Sequence, residues 1–188
     1  MQNLEESGTK KGRIYLAGFM GSGKSTVGPM IANTIGYTFA DLDRLIEAAE
    51  GISVTAIFKT KGEEYFRALE REQIRISSGR ERFVLALGGG TLGDPENFEC
   101  IRRAGILIYL RVSVDLLVRR LQNRQDRPLL MDEEGNRLPP PLLRERIARL
   151  LEQREPLYSR AEVIIDVDER RVGITVDRLV RALHPFLR

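Results

Sequence analysis

Cysteine occurs once in the 188 residues, at Cys100, so neither an intramolecular disulfide nor a cysteine-based zinc site can be built from this chain. A lone thiol suits a reducing compartment. Histidine also occurs once, at His184, and nothing around either residue in the sequence assigns it a task, so both are read as structural or incidental. Net charge is scarce too: 30 Lys and Arg stand against 27 Asp and Glu, a formal excess of +3, with acids and bases alternating along most of the chain. A nucleic-acid binder concentrates its charge into a basic stripe; locally clustered arginines suit small anionic molecules better. No apolar run approaches the ~20 residues that span a bilayer. The polar N-terminal segment, residues 1–12, carries both signs of charge around no apolar centre and does not read as a secretory signal. The expected setting is cytoplasmic, with no membrane and no nucleic acid as partner. Glycine and proline, 17 and 8 residues, are in ordinary supply, which excludes collagen-like and proline-rich classes.

What is present is enough for one buried core: 42% of the residues are hydrophobic, in a length that fits one domain with a small appendage. Five short apolar runs rich in β-branched residues predict strands at 14–17, 38–40, 83–87, 106–110 and 163–165. Between them lie segments with helical spacing. Val27, Ile31 and Ile35 form one stripe; Leu45 with Ile46, and Leu69 with Ile76, mark further faces. Val114, Leu117, Val118 and Leu121 form another, as do Ile147, Leu150 and Leu151. Strand and helix alternate, and the strands are continuous apolar runs, which predicts an α/β fold around a parallel sheet covered on both faces. Residues 1–12 are expected to be a flexible segment ahead of a single domain, 13–188.

The strongest local signal follows the first strand. Gly18-Phe19-Met20-Gly21-Ser22-Gly23-Lys24-Ser25-Thr26 satisfies G-x-x-x-x-G-K-[ST], with a strand before it and an amphipathic helix after it. Glycines let the backbone turn sharply so that successive N–H groups face phosphate oxygens. Lys24 carries a mobile positive charge to the β/γ-phosphates, the Ser25 hydroxyl suits Mg²⁺, and the helix N-terminus favours the same anion. No N-K-x-D motif for guanine reading is present, and no apolar strand ends in Asp-Glu as in motor-type ATPases. A small kinase is the remaining class.

Further residues point to a second substrate. Asp41-Leu42-Asp43 follows a short strand, so both carboxylates reach the sheet edge where open α/β folds bind ligands. One can face Mg²⁺ through water and the other an acceptor hydroxyl; equally, one or both can cap the next helix. Arg67 and Glu70 stand at i, i+3, the spacing of an intrahelical ion pair. Arg154 lies near a helix end, where a cation favours the dipole. Gly88-Gly89-Gly90 directly after a strand suggests close approach of backbone to a ligand. The charged, turn-rich stretch 124–141 is long for a connection in a compact domain and reads as a lid, the lid as a whole spanning about 122–141.

Taken in order, G-F-M-G-S-G-K-S-T, D-L-D, F-R-A-L-E, L-G-G-G, R-P-L-L at 127–130 and R-E-P-L-Y at 154–158 resemble shikimate kinase, from about Gly12 to the last strand and helix. The resemblance implies a five-stranded parallel sheet flanked by helices, of the P-loop, nucleoside-monophosphate-kinase kind with a mobile lid. It implies a monomer using ATP and Mg²⁺ to phosphorylate the 3-hydroxyl of shikimate in aromatic amino-acid biosynthesis. Gly21, Ser22, Gly23, Lys24, Ser25 and Thr26 would hold the ATP phosphates, with Ser25 on Mg²⁺ and Asp41 behind it through water. Asp43 would bind the ring hydroxyls and orient or deprotonate the 3-hydroxyl. Arg67 and Arg154 would grip the carboxylate beside Gly88, Gly89 and Gly90. Arg127 would swing from the lid onto the phosphates, Arg120 would stack on adenine, and Arg171 would flank the base. Against compact members of that family, the chain is several residues longer between Arg127 and Arg154, with 133–141 as the apparent insertion. A kinase for another polyol acid such as gluconate, and a nucleotide-binding regulator without turnover, are the alternatives.

Overall fold

Parallel strands are buried on both faces only where helices cover both, and here the central strands carry unbroken apolar runs, at 14–17, 83–86 and 106–110. In the computed structural model, which describes residues 12–123, 130–132 and 134–187, these runs become β1 (Arg13–Ala17), β2 (Thr38–Asp41), β3 (Phe83–Ala86), β4 (Ile106–Val112) and β5 (Val163–Val167). All pair in parallel in the order β2-β3-β1-β4-β5. The central strands β3, β1 and β4 are almost wholly buried, while β2 and β5 at the edges are partly exposed. The two-residue period divides the side chains between two layers. Tyr15, Ala17, Leu85, Leu107 and Tyr109 face one core, and Ile14, Leu16, Val84, Ile106, Ile108 and Leu110 the other.

Seven α-helices among the described residues close those layers: α1 (Lys24–Ile35), α2 (Leu42–Glu50), α3 (Val54–Ser78), α4 (Pro95–Ala104), α5 (Val114–Leu121), α6 (Pro140–Tyr158) and α7 (Val172–Leu183). Val27 and Ile31 of α1 pack with Val176, Leu179 and Leu183 of α7 on one face. Ile46 of α2, Ile57, Phe66 and Ile74 of α3, and Phe98 and Ile101 of α4 cover the other, joined by Tyr158 from the end of α6. A third cluster, including Phe19, Leu117, Leu121 and Ile147, joins α5 and α6 above the sheet.

Two expectations change. Leu69 packs half-buried, but Ile76 is 43% exposed; the inward stripe of α3 runs through Phe66, Glu70, Ile74 and Ser77, so two polar residues occupy it and hydropathy alone picked the wrong face. The proline run closing the expected lid belongs to α6: Pro139 is its N-cap, and Pro140 and Pro141 fill its first positions, where a missing N–H removes no intrahelical bond. The expected flexible segment 1–12 lies, apart from Gly12, outside the described residues, as do Arg127 and the rest of 124–129. No helix among the described residues is long and apolar enough to cross a membrane.

Candidate active site

The loop after β1 turns on three glycines at positive φ: Gly18 (145°), Gly21 (80°) and Gly23 (103°), backbone that a residue with a β-carbon adopts only under strain. Gly23 is the N-cap of α1 and offers no side chain, leaving the first N–H groups of the helix to find an external acceptor. Ser22 is fully buried, its N–H donating to Phe19 O at 3.0 Å, so it shapes the loop from inside. Lys24 Nζ donates to the Gly18 carbonyl at 2.7 Å and to the Phe19 carbonyl at 3.3 Å, folded back over its own loop. Thr26 is exposed two residues further along the helix. Arg120 of α5 donates to Gly21 O at 2.9 Å and reaches Asp168 O at 3.5 Å, tying this loop to the segment after β5. Arg171, exposed, is the N-cap of α7 at the end of that segment.

The two carboxylates at the end of β2 take different tasks. Asp41 Oδ1 accepts the Asp43 N–H at 3.1 Å and caps α2, while its Oδ2 accepts the Ser25 hydroxyl at 2.9 Å. Capping and the link to Ser25 therefore coexist in one residue. Asp43 points into the site. Burial, then the negative charges of Asp41 and Glu70, push its carboxyl up to about 6, against the pull of Lys24.

The glycine turn after β3 brings the remaining groups together. A β-carbon on Gly88 would stand 3.2 Å from Glu70 Oε1 and 3.3 Å from Asp43 Oδ1; one on Gly90 would be 3.2 Å from Arg67 Nη2; one on Gly89 would be 2.7 Å from Arg154 Nη1. Any side chain here would fill the space these groups use. Arg67 is ion-paired with the buried Glu70 on its own helix and with Glu63 at 3.0 Å. Thr91, fully buried, donates its hydroxyl to the other oxygen of Glu70 at 2.7 Å. Arg154 lies over the Phe19 ring, 5.5 Å from its centroid, and its Nη1 is buried without a hydrogen-bond partner among the described residues. A buried guanidinium nitrogen left unpartnered is costly unless an anion completes it.

Sequence reasoning gave no task to Thr91, Tyr109, Glu155 or Tyr158. Glu155 and Tyr158 both stand inside the R-E-P-L-Y motif, which was the available signal. Its hydroxyl donates to Gly89 O at 2.7 Å, and burial raises its pKa while the charge of Arg154 lowers it. A separate groove of about 1060 Å³ lies between β4–β5 and α5–α6. Its arginines are matched internally, Arg111 to Asp166 at 2.5 Å and Arg119 to Glu169 at 2.8 Å, and it contains none of the phosphate loop.

Comparison with known proteins identifies the family. The family model described as shikimate kinase matches residues 20–184. The chain belongs to the shikimate kinase family. It is 45% identical to the shikimate kinase of Chlorobium chlorochromatii over 175 residues, 93% of this chain and 92% of that protein, and 46% identical to that of Chlorobium limicola over the same length. Among solved structures, shikimate kinase from Bacteroides thetaiotaomicron superposes with a TM-score of 0.82 at 34% identity, covering 92% of this chain and 98% of that one. Shikimate kinase from Acinetobacter baumannii, solved in complex with shikimate, gives 0.82 at 32% identity, covering 92% and 93%. A gluconokinase from Sinorhizobium meliloti shares the fold at a TM-score of 0.57 and 24% identity, which carries no further than the fold. The five-stranded parallel sheet read from the sequence is the sheet of this family.

Proposed function

We propose that this shikimate kinase family member transfers the γ-phosphoryl group of ATP to the 3-hydroxyl of shikimate, giving ADP and 3-phosphoshikimate. The observation that carries the reading is the meeting of Arg67, Arg154 and Asp43 around one glycine turn, on the same sheet edge as the phosphate loop. Planar guanidinium groups suit a carboxylate bidentately. Asp43, with its carboxyl near 6, is ionised at neutral pH yet basic enough to accept a hydroxyl proton as the oxygen attacks phosphorus.

Phosphoryl transfer needs positioning and charge neutralisation more than covalent work by the protein. The N–H groups at the start of α1 hold the phosphates, and Lys24 leaves the loop carbonyls for the anion when it arrives. Ser25 and Asp41, a hydroxyl and a carboxylate 2.9 Å apart, are hard oxygen donors of the kind Mg²⁺ takes and would hold it, Ser25 directly and Asp41 through water. Bound there with ATP, the ion would neutralise charge on the phosphate oxygens. Arg120, which ties the phosphate loop to the segment after β5, and Arg171, at the end of that segment, are assigned to the base on the resemblance. Arg127, outside the described residues, is assigned to the phosphates on the resemblance alone, with residues 122–139 as the lid. A cytoplasmic monomer completes the proposal.

The test is the product. With ATP, Mg²⁺ and shikimate, phosphorus and proton NMR should show a single phosphate ester on the 3-oxygen; an ester at another hydroxyl would reject this placement of Asp43.

A further inference from the structure

The last turn of α6 is fastened to β4 and to the glycine turn after β3 by two tyrosine hydroxyls that do different things. Tyr109 of β4 donates to Glu155 Oε2 at 2.5 Å, and Tyr158 donates to Gly89 O at 2.7 Å; the two rings pack 5.0 Å apart between centroids. Both side chains are buried. Of the two bonds, only that of Tyr158 reaches the glycine turn. None of the N–H groups of Gly88, Gly89 and Gly90 donates to another described residue.

A trans peptide is planar, with its C=O and N–H on opposite sides. Holding the Gly89 carbonyl on Tyr158 therefore aims the Gly90 N–H the other way, away from α6. Gly89 is the residue Arg154 approaches and Gly90 the one Arg67 approaches. One hydroxyl thus sets the peptide that separates the two guanidinium groups. Arg154 precedes Tyr158 by four residues on the same face of α6, so the same anchor also fixes the backbone that carries Arg154. On the far side of the turn, Glu70 and Thr91 fix Arg67 independently.

We propose that Tyr158 is a positioning residue for the acid group of the substrate: its hydroxyl fixes the Gly89–Gly90 peptide relative to the Arg154 guanidinium without touching the substrate itself. This rests on the shikimate reading of the site. Preference for a carboxylate then depends on a hydroxyl outside the binding surface.

The test compares wild type, Tyr158→Phe and Tyr109→Phe in steady-state assays with ATP and either shikimate or its carboxamide, alongside thermal melts. Tyr158→Phe should raise the KM for shikimate about five- to tenfold, the worth of one hydrogen bond. Its kcat and its KM for ATP should stay within about twofold, and its preference for shikimate over the carboxamide should shrink by the same factor as KM rises. Tyr109→Phe, which loses a buried hydroxyl of the same pair away from the turn, should keep the wild-type preference. An unchanged KM and preference in Tyr158→Phe would overturn the proposal. So would an equal loss in Tyr109→Phe, which would make α6 anchoring in general the cause. A wild-type enzyme inactive on shikimate would instead remove the functional reading, and this proposal with it.

Discussion

A β-carbon on Gly89 would stand 2.7 Å from Nη1 of Arg154, closer than real side chains approach. The guanidinium occupies the space that glycine leaves. Because the obstructed atom is the far end of a flexible side chain, Gly89→Ala should fold with a near-normal melting temperature while displacing Arg154. The expected result is a KM for shikimate raised about ten- to a hundredfold, the loss of one charge-assisted hydrogen bond, with the KM for ATP unchanged. A substrate titration at saturating ATP checks both.

Lys24 now caps its own loop carbonyls at 2.7 and 3.3 Å, so removing it uncovers acceptors as well as deleting a cation. Lys24→Ala should lower kcat by about 10²–10³-fold, the scale of one lost electrostatic stabiliser of the transition state. Single-turnover measurements at saturating ATP isolate that step. Near-normal turnover would take Lys24 out of the chemistry.

Asp43 offers a test with opposite signs. Its carboxyl is raised from 3.8 to about 6 in the folded chain, so the folded state binds this proton more tightly than the unfolded one. That contribution favours folding below about pH 4 and is lost as pH rises through about 6. Asp43→Asn, which never ionises, should therefore be more stable than wild type above pH 7 by about 1–3 kcal/mol and no more stable at pH 4. It should also lose most of its turnover. In wild type, kcat/KM for shikimate should fall on the acid side of about pH 6, as the base is protonated. Chemical denaturation at several pH values and a pH–rate profile check the pair.

The two arginines should separate in stability while agreeing in affinity. Arg67 neutralises the buried Glu70, so Arg67→Lys disturbs a satisfied cluster and should cost about 1–3 kcal/mol of stability as well as raising the KM for shikimate. Arg154 leaves Nη1 unpartnered among the described residues, so Arg154→Lys should raise that KM with little change in melting temperature. ATP affinity should hold in both variants.

The parallel sheet was legible because β1, β3 and β4 carry unbroken apolar runs, at 14–17, 83–86 and 106–110, the pattern of a doubly covered sheet. The phosphate loop was legible because its residues are adjacent in sequence. α4 was less visible: its buried apolar stripe is short, Phe98 and Ile101, and the better clue was Asp94 before Pro95, a cap and a first-turn proline. On α3, Glu70 and Ser77 interrupt the buried stripe, so Ile76 drew the eye to the wrong side. Within the site, Asp43, Arg67 and Arg154 come from three distant segments, and only motif resemblance grouped them before the fold did. Thr91 and Tyr158 act through Glu70 and a carbonyl respectively. Neither spacing nor composition records a bond of that kind.

The most direct measurement follows ADP formation with ATP and Mg²⁺ in the presence of shikimate, of gluconate, and of neither. The account predicts rapid release that depends on shikimate, with gluconate close to the background rate. Release that ignores the added acid, or that is faster with gluconate, would contradict it.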